Sequence, residues 1–196
     1  MAVPSPSPVA DKQALRAAMR ERRRAYAASL SHDTRLALEQ ALVETAAPLL
    51  LSARVVAGYQ PMKDEMSVLP LLAAAEQRGL VTALPAFAAR DARMSFRAGP
   101  PLDPGPWGIL QPAPEAPTVA PDLVIVPLLA IDRRGNRIGM GKGHYDRALP
   151  GLREEGARLI GAGWAFQRVA EPIAADPWDV PLDGFLSPEG LEEFKR

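Results

Sequence analysis

Along the first fifty positions, hydrophobic residues recur at intervals of three and four; further on they gather into short dense runs. From about residue 11 to 26, Leu15, Ala18, Met19 and Tyr26 fall on one stripe of a 3.6-residue repeat, which predicts a helix with Asp11 as its N-cap. Leu38, Leu42 and Leu49 mark a second helix at about 33–50. Then come apolar runs of strand length: "RVVAGY", "VTALPAF", "MSFRAG", "DLVIVPLLAI", "RLIGAGWAF" and "DGFLS". Helical patterns at 68–78 and 144–155 lie between some of them. Strands alternating with helices predict a largely parallel sheet covered by helices. Pro-rich stretches at 99–106 and 112–121 read as surface loops. Ligands of open sheets bind beyond the carboxyl ends of the strands, so the segment after "DLVIVP" is the first place to seek a site.

That segment contains "NRIGMGKGHYDRAL", with glycines at 139, 141 and 143 running directly into a helical pattern. Closely spaced glycines let backbone N–H groups converge on one concavity, and a helix starting at once adds unpaired amides and the positive end of its dipole. Arg137 and Lys142 supply charge suited to a polyphosphate. The bland alternative is a tight strand-to-helix turn with solvated charges; cations on both sides of the glycines favour phosphate. Two familiar motifs do not fit. A Walker A loop needs Gly at 136 and Ser or Thr at 143, where Asn136 and Gly143 stand, and a dinucleotide fingerprint needs Gly in place of His144.

Asp146 falls in the first turn of the following helix, where a carboxylate is ordinarily a cap. Beside a bound polyphosphate it would be repelled unless magnesium lay between, and magnesium takes one or two carboxylates plus phosphate oxygens. A second acid could come from Asp176, Asp179 or Asp183 in "DPWDVPLDG". Lys12, Arg16, Arg20 and Arg23 give the first helix a positive face, ordinarily solvated, from which Lys12 and Arg16 could reach a nucleotide. Glu65, in "YQPMKDEMSVLPLL", falls at or near the start of the next helix, where capping is its ordinary role.

Composition narrows the field. The 196 residues carry 23 Lys+Arg against 23 Asp+Glu, which removes the argument for bulk binding of nucleic acid or an anionic membrane. With no cysteine, disulfides, thiolate metal sites and cysteine nucleophiles are excluded. The start, "MAVPSPSPVA", lacks the basic and apolar segments of a secretion signal. It reads as a disordered Pro/Ser-rich tail over 1–10, ahead of one domain at 11–196 in a cytoplasmic protein.

"KQALR", "YQPMKDE", "WGILQP", "DRRGNRIGMGKGHYDR" and "WDVPLDG" occur in the order and spacing of one family. From about Lys12 to Ser187 the sequence resembles the 5-formyltetrahydrofolate cyclo-ligases, also called methenyltetrahydrofolate synthetases. The resemblance implies a single-domain three-layer α/β/α sandwich and an ATP- and magnesium-dependent enzyme. That enzyme would convert 5-formyltetrahydrofolate to 5,10-methenyltetrahydrofolate, releasing ADP and phosphate.

Matched by position, Lys12, Arg16, Arg137, Gly139, Gly141, Lys142, Gly143, His144 and Tyr145 would contact ATP. Asp146 and Asp179 would hold magnesium. Met62, Glu65, Trp107 and Tyr145 would line the folate pocket, although a lone Trp is more often packed on the core. Lys142 and Arg137 would be catalytic, Lys142 by stabilising charge on the moving phosphoryl group, while Glu65 would orient the pterin or formyl end. His144 stands where the family often has Tyr or Phe, and Met140 where Arg or Tyr is common. The rival readings are a kinase of another small metabolite, a non-catalytic nucleotide- or RNA-binding protein, and a sugar-phosphate isomerase. The favoured reading expects a monomer with small-molecule partners, ATP and a folate, and with no nucleic-acid or membrane partner.

Overall fold

The computed structural model describes residues 8–195. Two helices open the chain, α1 (Pro8–Ser29) and α2 (His32–Leu50). Ser31 caps α2, its hydroxyl accepting from the Thr34 amide at 3.1 Å. There follow β1 (Val55–Ala57), α3 (Leu69–Gln77), β2 (Val81–Ala86) and β3 (Ser95–Ala98). A small hairpin, β4 (Asp103–Pro104) and β5 (Leu110–Gln111), precedes the central strand β6 (Leu123–Pro127). A second hairpin, β7 (Ala130–Ile131) and β8 (Arg137–Ile138), leads into α4 (His144–Glu154). The chain closes with β9 (Arg158–Ala162), a 3-10 turn (Ala165–Gln167), β10 (Gly184–Ser187) and β11 (Gly190–Glu193).

Seven strands form one sheet in the order β11-β10-β9-β6-β1-β2-β3. The central pairings are parallel, and only the edge strands β3 and β11 run antiparallel to their neighbours. Strand side chains alternate between two cores, as a sheet buried on both faces requires. Val56, Ile125 and Ile160 pack with Leu42, Leu49 and Leu71 of α2 and α3, whereas Ala57, Val126 and Leu159 pack with Leu149 and Leu152 of α4. The result is the expected three-layer α/β/α sandwich. From β1 the chain crosses to β2 on one side, and β6 then takes the other side of β1. The strand order therefore reverses between β1 and β6, which opens a crevice at their carboxyl ends.

Several boundaries differ from the sequence pattern. Helix α1 starts at Pro8, so residues 8–10 are helical rather than tail, and Asp11 lies inside the helix instead of capping it. Proline suits a first helical turn, where its missing N–H costs nothing. Residues 1–7, the rest of the expected tail, lie outside the described residues. The run "DLVIVPLLAI" is not one strand. Pro127 ends β6, having no N–H to extend the ladder, and Ala130–Ile131 pairs back on β8. Helix α1 packs beyond this break, Met19 joining Leu129, Ala130, Ile138 and Ile173. Lys12 and Arg16 are thereby brought to the glycine-rich segment.

Candidate active site

The glycine loop hangs from a rigid support. Buried Asp132 accepts hydrogen bonds from the amides of Arg134, Asn136 and Ile173 at 2.8–2.9 Å and from Asn136 Nδ2 at 3.0 Å. These bonds fix the β7–β8 turn, and β8 delivers Arg137 and the loop after it. Gly141 and Gly143 have left-handed φ values of +85° and +69°, and Gly143 caps α4 without any side-chain bond. Gly139 differs: its φ is not in that region, and a Cβ built on it meets nothing within 4 Å. The fold does not require glycine there, so the space above its backbone is left for something else. Among the described residues, the amides of 139–144 donate to no backbone carbonyl. Arg16 Nε donates to the Gly139 carbonyl at 3.0 Å and ties the loop to α1.

Around the loop, cations and carboxylates alternate. Arg137 Nη2 contacts Asp146 Oδ1 at 2.7 Å, while Arg137 Nε is buried without a partner among the described residues. Lys12 Nζ contacts Asp176 at 2.7 Å and Asp179 at 3.1 Å, and Asp179 also accepts from the Asp176 amide at 2.8 Å. Burial works against the Lys12 charge, but the two carboxylates outweigh it and hold its pKa above the usual lysine value. Lys142 is exposed and makes no ion pair among the described residues.

The opposite wall is the loop after β1. Tyr59 Oη donates to the Met66 carbonyl at 2.7 Å, Arg35 to the carbonyls of Lys63 and Glu65 at 2.8 Å each, and Trp164 Nε1 to that of Asp64 at 3.0 Å. Arg23, expected on a solvated face, is 1% exposed and reaches Asp64 at 2.9 Å and Glu65 at 3.2 Å. Arg23 does fall on the apolar stripe, four residues after Met19, but the acid pair in "MKDEM" lies too far along the chain to announce the burial. Glu65 lies in a turn ahead of α3 and does not cap it. Its second oxygen accepts from the Met62 amide at 2.9 Å. Burial raises the Glu65 pKa, and the Met62 amide and Arg23 partly offset that. Met140 turns inward, against the cluster beneath α1 and within 3.8 Å of Arg23 Nη2.

A third wall is aromatic. Phe87, Trp107 and His144 meet pairwise with ring centroids 4.7–4.8 Å apart. Gln111 clamps the Trp107 hairpin to the end of β2, exchanging hydrogen bonds with the Phe87 amide and carbonyl at 3.0 and 3.1 Å. His144 Nδ1 lies 3.1 Å from Arg147 Nη2. Burial, then Arg147 and Lys142, lower its pKa, which favours neutral imidazole.

All three walls enclose one cavity of about 500 Å³. It brings together every residue expected at the site: Lys12, Arg16, Met62, Glu65, Trp107, Arg137, Gly139, Gly141, Lys142, Gly143, His144, Tyr145, Asp146 and Asp179. Trp107, 37% exposed, serves the cavity rather than the core. Phe87, Ile109, Leu110 and Trp178 also line it and belong to no charge pattern. Trp178 is 70% exposed, and open apolar surface of this kind at a concavity marks a binding site. Buried Tyr145 Oη and Gln60 Oε1, both in this lining, lack partners as Arg137 Nε does. Asp183 is elsewhere, held by Arg153 at 2.7 Å and accepting from the Leu159 amide near the start of β9.

The charged wall suits a polyphosphate: unpaired amides, room over Gly139 and an unpartnered guanidinium nitrogen all favour one. Among the described residues no three His, Asp or Glu side chains cluster to hold a metal. Asp146 and Asp179 each stand beside a cation, so a magnesium ion here would draw its remaining ligands from phosphate oxygens and water. No helix among the described residues is long and apolar enough to cross a membrane.

An open α/β sheet with its cavity at the strand-order reversal defines the structural class. Residues 8–188 match the 5-formyltetrahydrofolate cyclo-ligase family. The 5-formyltetrahydrofolate cyclo-ligase of Mycolicibacterium smegmatis is 32% identical over 194 residues, covering 91% of this chain and 94% of that protein. The Haemophilus influenzae cyclo-ligase is 36% identical over 90 residues, 44% of this chain, and the match spans only about half (48%) of that relative. The solved 5,10-methenyltetrahydrofolate synthetase of Aquifex aeolicus superposes with a TM-score of 0.78 at 26% identity, covering 94% of this chain and 93% of that one. The chain belongs to the 5-formyltetrahydrofolate cyclo-ligase family.

Proposed function

We propose that this protein converts 5-formyltetrahydrofolate to 5,10-methenyltetrahydrofolate, consuming ATP and requiring magnesium, in a single cytoplasmic domain that opens with α1. One observation carries the reading: a single cavity is walled both by a loop with unpaired amides and cations and by a trio of aromatic rings. The first suits a polyphosphate and the second a flat heterocycle. Family membership supplies the reaction that needs both.

The formyl oxygen is an amide oxygen and a poor leaving group. Bound ATP with magnesium supplies the phosphoryl group that converts it to phosphate. N10 of the folate then bonds to the formyl carbon and gives up its proton to solvent, the carbon–oxygen bond breaks, and phosphate departs with the oxygen. The chain contributes position and charge, the terms that dominate phosphoryl transfer. Lys142 stabilises charge on the moving group; Arg137, through its free Nε, fixes the phosphate it leaves. Lys12, Arg16 and the amides of Gly139, Gly141, Gly143 and His144 hold the rest of the triphosphate. Asp146 and Asp179 would hold the magnesium. Glu65, already bonded through each oxygen to Arg23 and to Met62 N, retains lone pairs that accept N–H groups of the pterin. Met62, Trp107 and Tyr145 border the ring. The zero net charge gives no electrostatic ground for a nucleic-acid partner, and the reading takes the protein as a monomer acting on small molecules.

The test is direct. Pure protein mixed with 5-formyltetrahydrofolate, ATP and magnesium develops the absorbance of methenyltetrahydrofolate and releases one inorganic phosphate per turnover. A stable phosphorylated product without ring closure would instead establish a kinase.

A further inference from the structure

Asp176 stands outside the set that binds ATP, folate or metal in the reading above, yet it makes the shorter of the two contacts to Lys12, 2.7 Å against 3.1 Å from Asp179. Its backbone amide also donates to Asp179 Oδ2 at 2.8 Å, so the two acids and Lys12 form one closed knot. Across the cavity the same arrangement recurs, with Asp146 on Arg137 at 2.7 Å. Two of the cations intended for phosphate, Lys12 and Arg137, are thus already held by carboxylates of the same cavity. The site is nevertheless unfinished: the Arg137 side chain is only 8% exposed, lines the cavity, and leaves its Nε without a partner.

We propose that Asp176 is a positioning residue that couples nucleotide binding to magnesium, by holding Lys12 in place as a phosphate surrogate until the triphosphate displaces it. The inference rests on the proposed use of ATP. A triphosphate arriving without metal must separate Lys12 from two carboxylates and then lie beside them, like charges at short range. Magnesium removes that penalty at Asp179, which exchanges an ammonium partner for the metal. Asp176 has no such exchange and simply loses its share of Lys12. Its charge therefore weakens nucleotide binding most when metal is absent, and it discriminates against metal-free nucleotide. The pair is partly exposed, with side-chain exposures of 18% for Lys12 and 46% for Asp176, so the expected effect is modest.

Calorimetric titration of the full chain with ATP, with and without magnesium, tests this on the wild type and on Asp176→Asn, which keeps the shape and the backbone bond. In the wild type, magnesium strengthens binding. In the variant, metal-free binding tightens by roughly fivefold while binding with magnesium changes little, so the ratio between the two shrinks. An unchanged ratio, or equal weakening of both forms, would overturn the inference and leave Asp176 a support for its loop. Asp176→Ser gives the same comparison if the Asn variant melts early. Wild-type protein that binds neither form of ATP would instead sink the nucleotide reading itself, a distinguishable result.

Discussion

Two neighbouring pieces of one stretch, the turn at 132–136 and the loop at 139–145, are built from the same kinds of residue and do opposite things. In the turn, Asp132 and most of the backbone amides bond within the protein. Asp132 accepts four hydrogen bonds, and Gly135, at φ +81°, has the Leu182 carbonyl 2.3 Å from where a Cβ would sit. In the loop, among the described residues, the amides donate to no backbone carbonyl, Gly139 has open space, and the Arg137 Nε just ahead and Tyr145 Oη at its end are unpartnered. Buried polar groups are paired in folded proteins almost without exception, so a cluster of unpaired ones is a statement about a missing partner rather than about folding. Glycine serves sterics in the first piece and access in the second.

The sharpest way to separate the two pieces is Lys142→Ala. The side chain is exposed and unpaired, so the melting temperature should not move. Turnover should fall on the order of a hundredfold or more, the typical cost of removing a preorganised charge at a transferring group. ATP affinity, measured by titration, should weaken far less. Retention of near-wild-type turnover would show that the loop's cation plays no part in the chemistry.

A pair of alanines then compares the glycines directly. Gly135→Ala forces a left-handed non-glycine residue, costing about 1–2 kcal/mol before any clash with the Leu182 carbonyl, and should lower the melting temperature by roughly 2–8 °C. Its effect on ATP affinity should be no more than follows from instability. Gly139→Ala should leave stability within about 0.5 kcal/mol of wild type yet weaken ATP binding by about tenfold, because its Cβ fills the space the phosphates need. If Gly139→Ala binds ATP normally, that space is not a phosphate cradle.

How much of this was legible in the sequence depends on the range of the interaction involved. Period-two and period-3.6 patterns are local, so the parallel sheet, α2, α3 and α4 could be read within a residue or two. The break after Pro127 could not be read from hydrophobicity, since Leu128, Leu129, Ala130 and Ile131 are all buried and continue the apolar run; the reversal shows only in pairing with β8. Arg23 misled for the opposite reason. A lone arginine on a helix is ordinarily solvated, and its burial depends on Asp64 and Glu65, forty residues away. The charged half of the site was readable because glycine, lysine and aspartate sit within one loop. Phe87, Ile109, Leu110 and Trp178 reach the same cavity from three separate segments and carry no charge pattern, although the last three fall within "WGILQP" and "WDVPLDG".

The smallest effect concerns His144, where loop and aromatic wall meet. Burial and the neighbouring Arg147 and Lys142 lower its pKa, so the folded protein holds this proton less readily than the unfolded chain, whose imidazole titrates near 6.5. As pH falls through about 6.5, the unfolded state gains a proton that the folded state refuses, and stability declines until the folded pKa is also passed. The window therefore lies on the acidic side of neutrality, and the contribution is absent above it. Phe87 and Trp107 pack on the ring, and the charged groups that act on it among the described residues are the cations Arg147 and Lys142. Substituting His144→Phe keeps an aromatic ring in the trio and removes the titration. Melting temperatures of wild type and variant should differ by a constant amount at pH 7.5 and above, with the wild type losing ground progressively below 6.5. Parallel curves throughout would mean that the imidazole titrates alike in both states, and that the cations of the loop do not act on it.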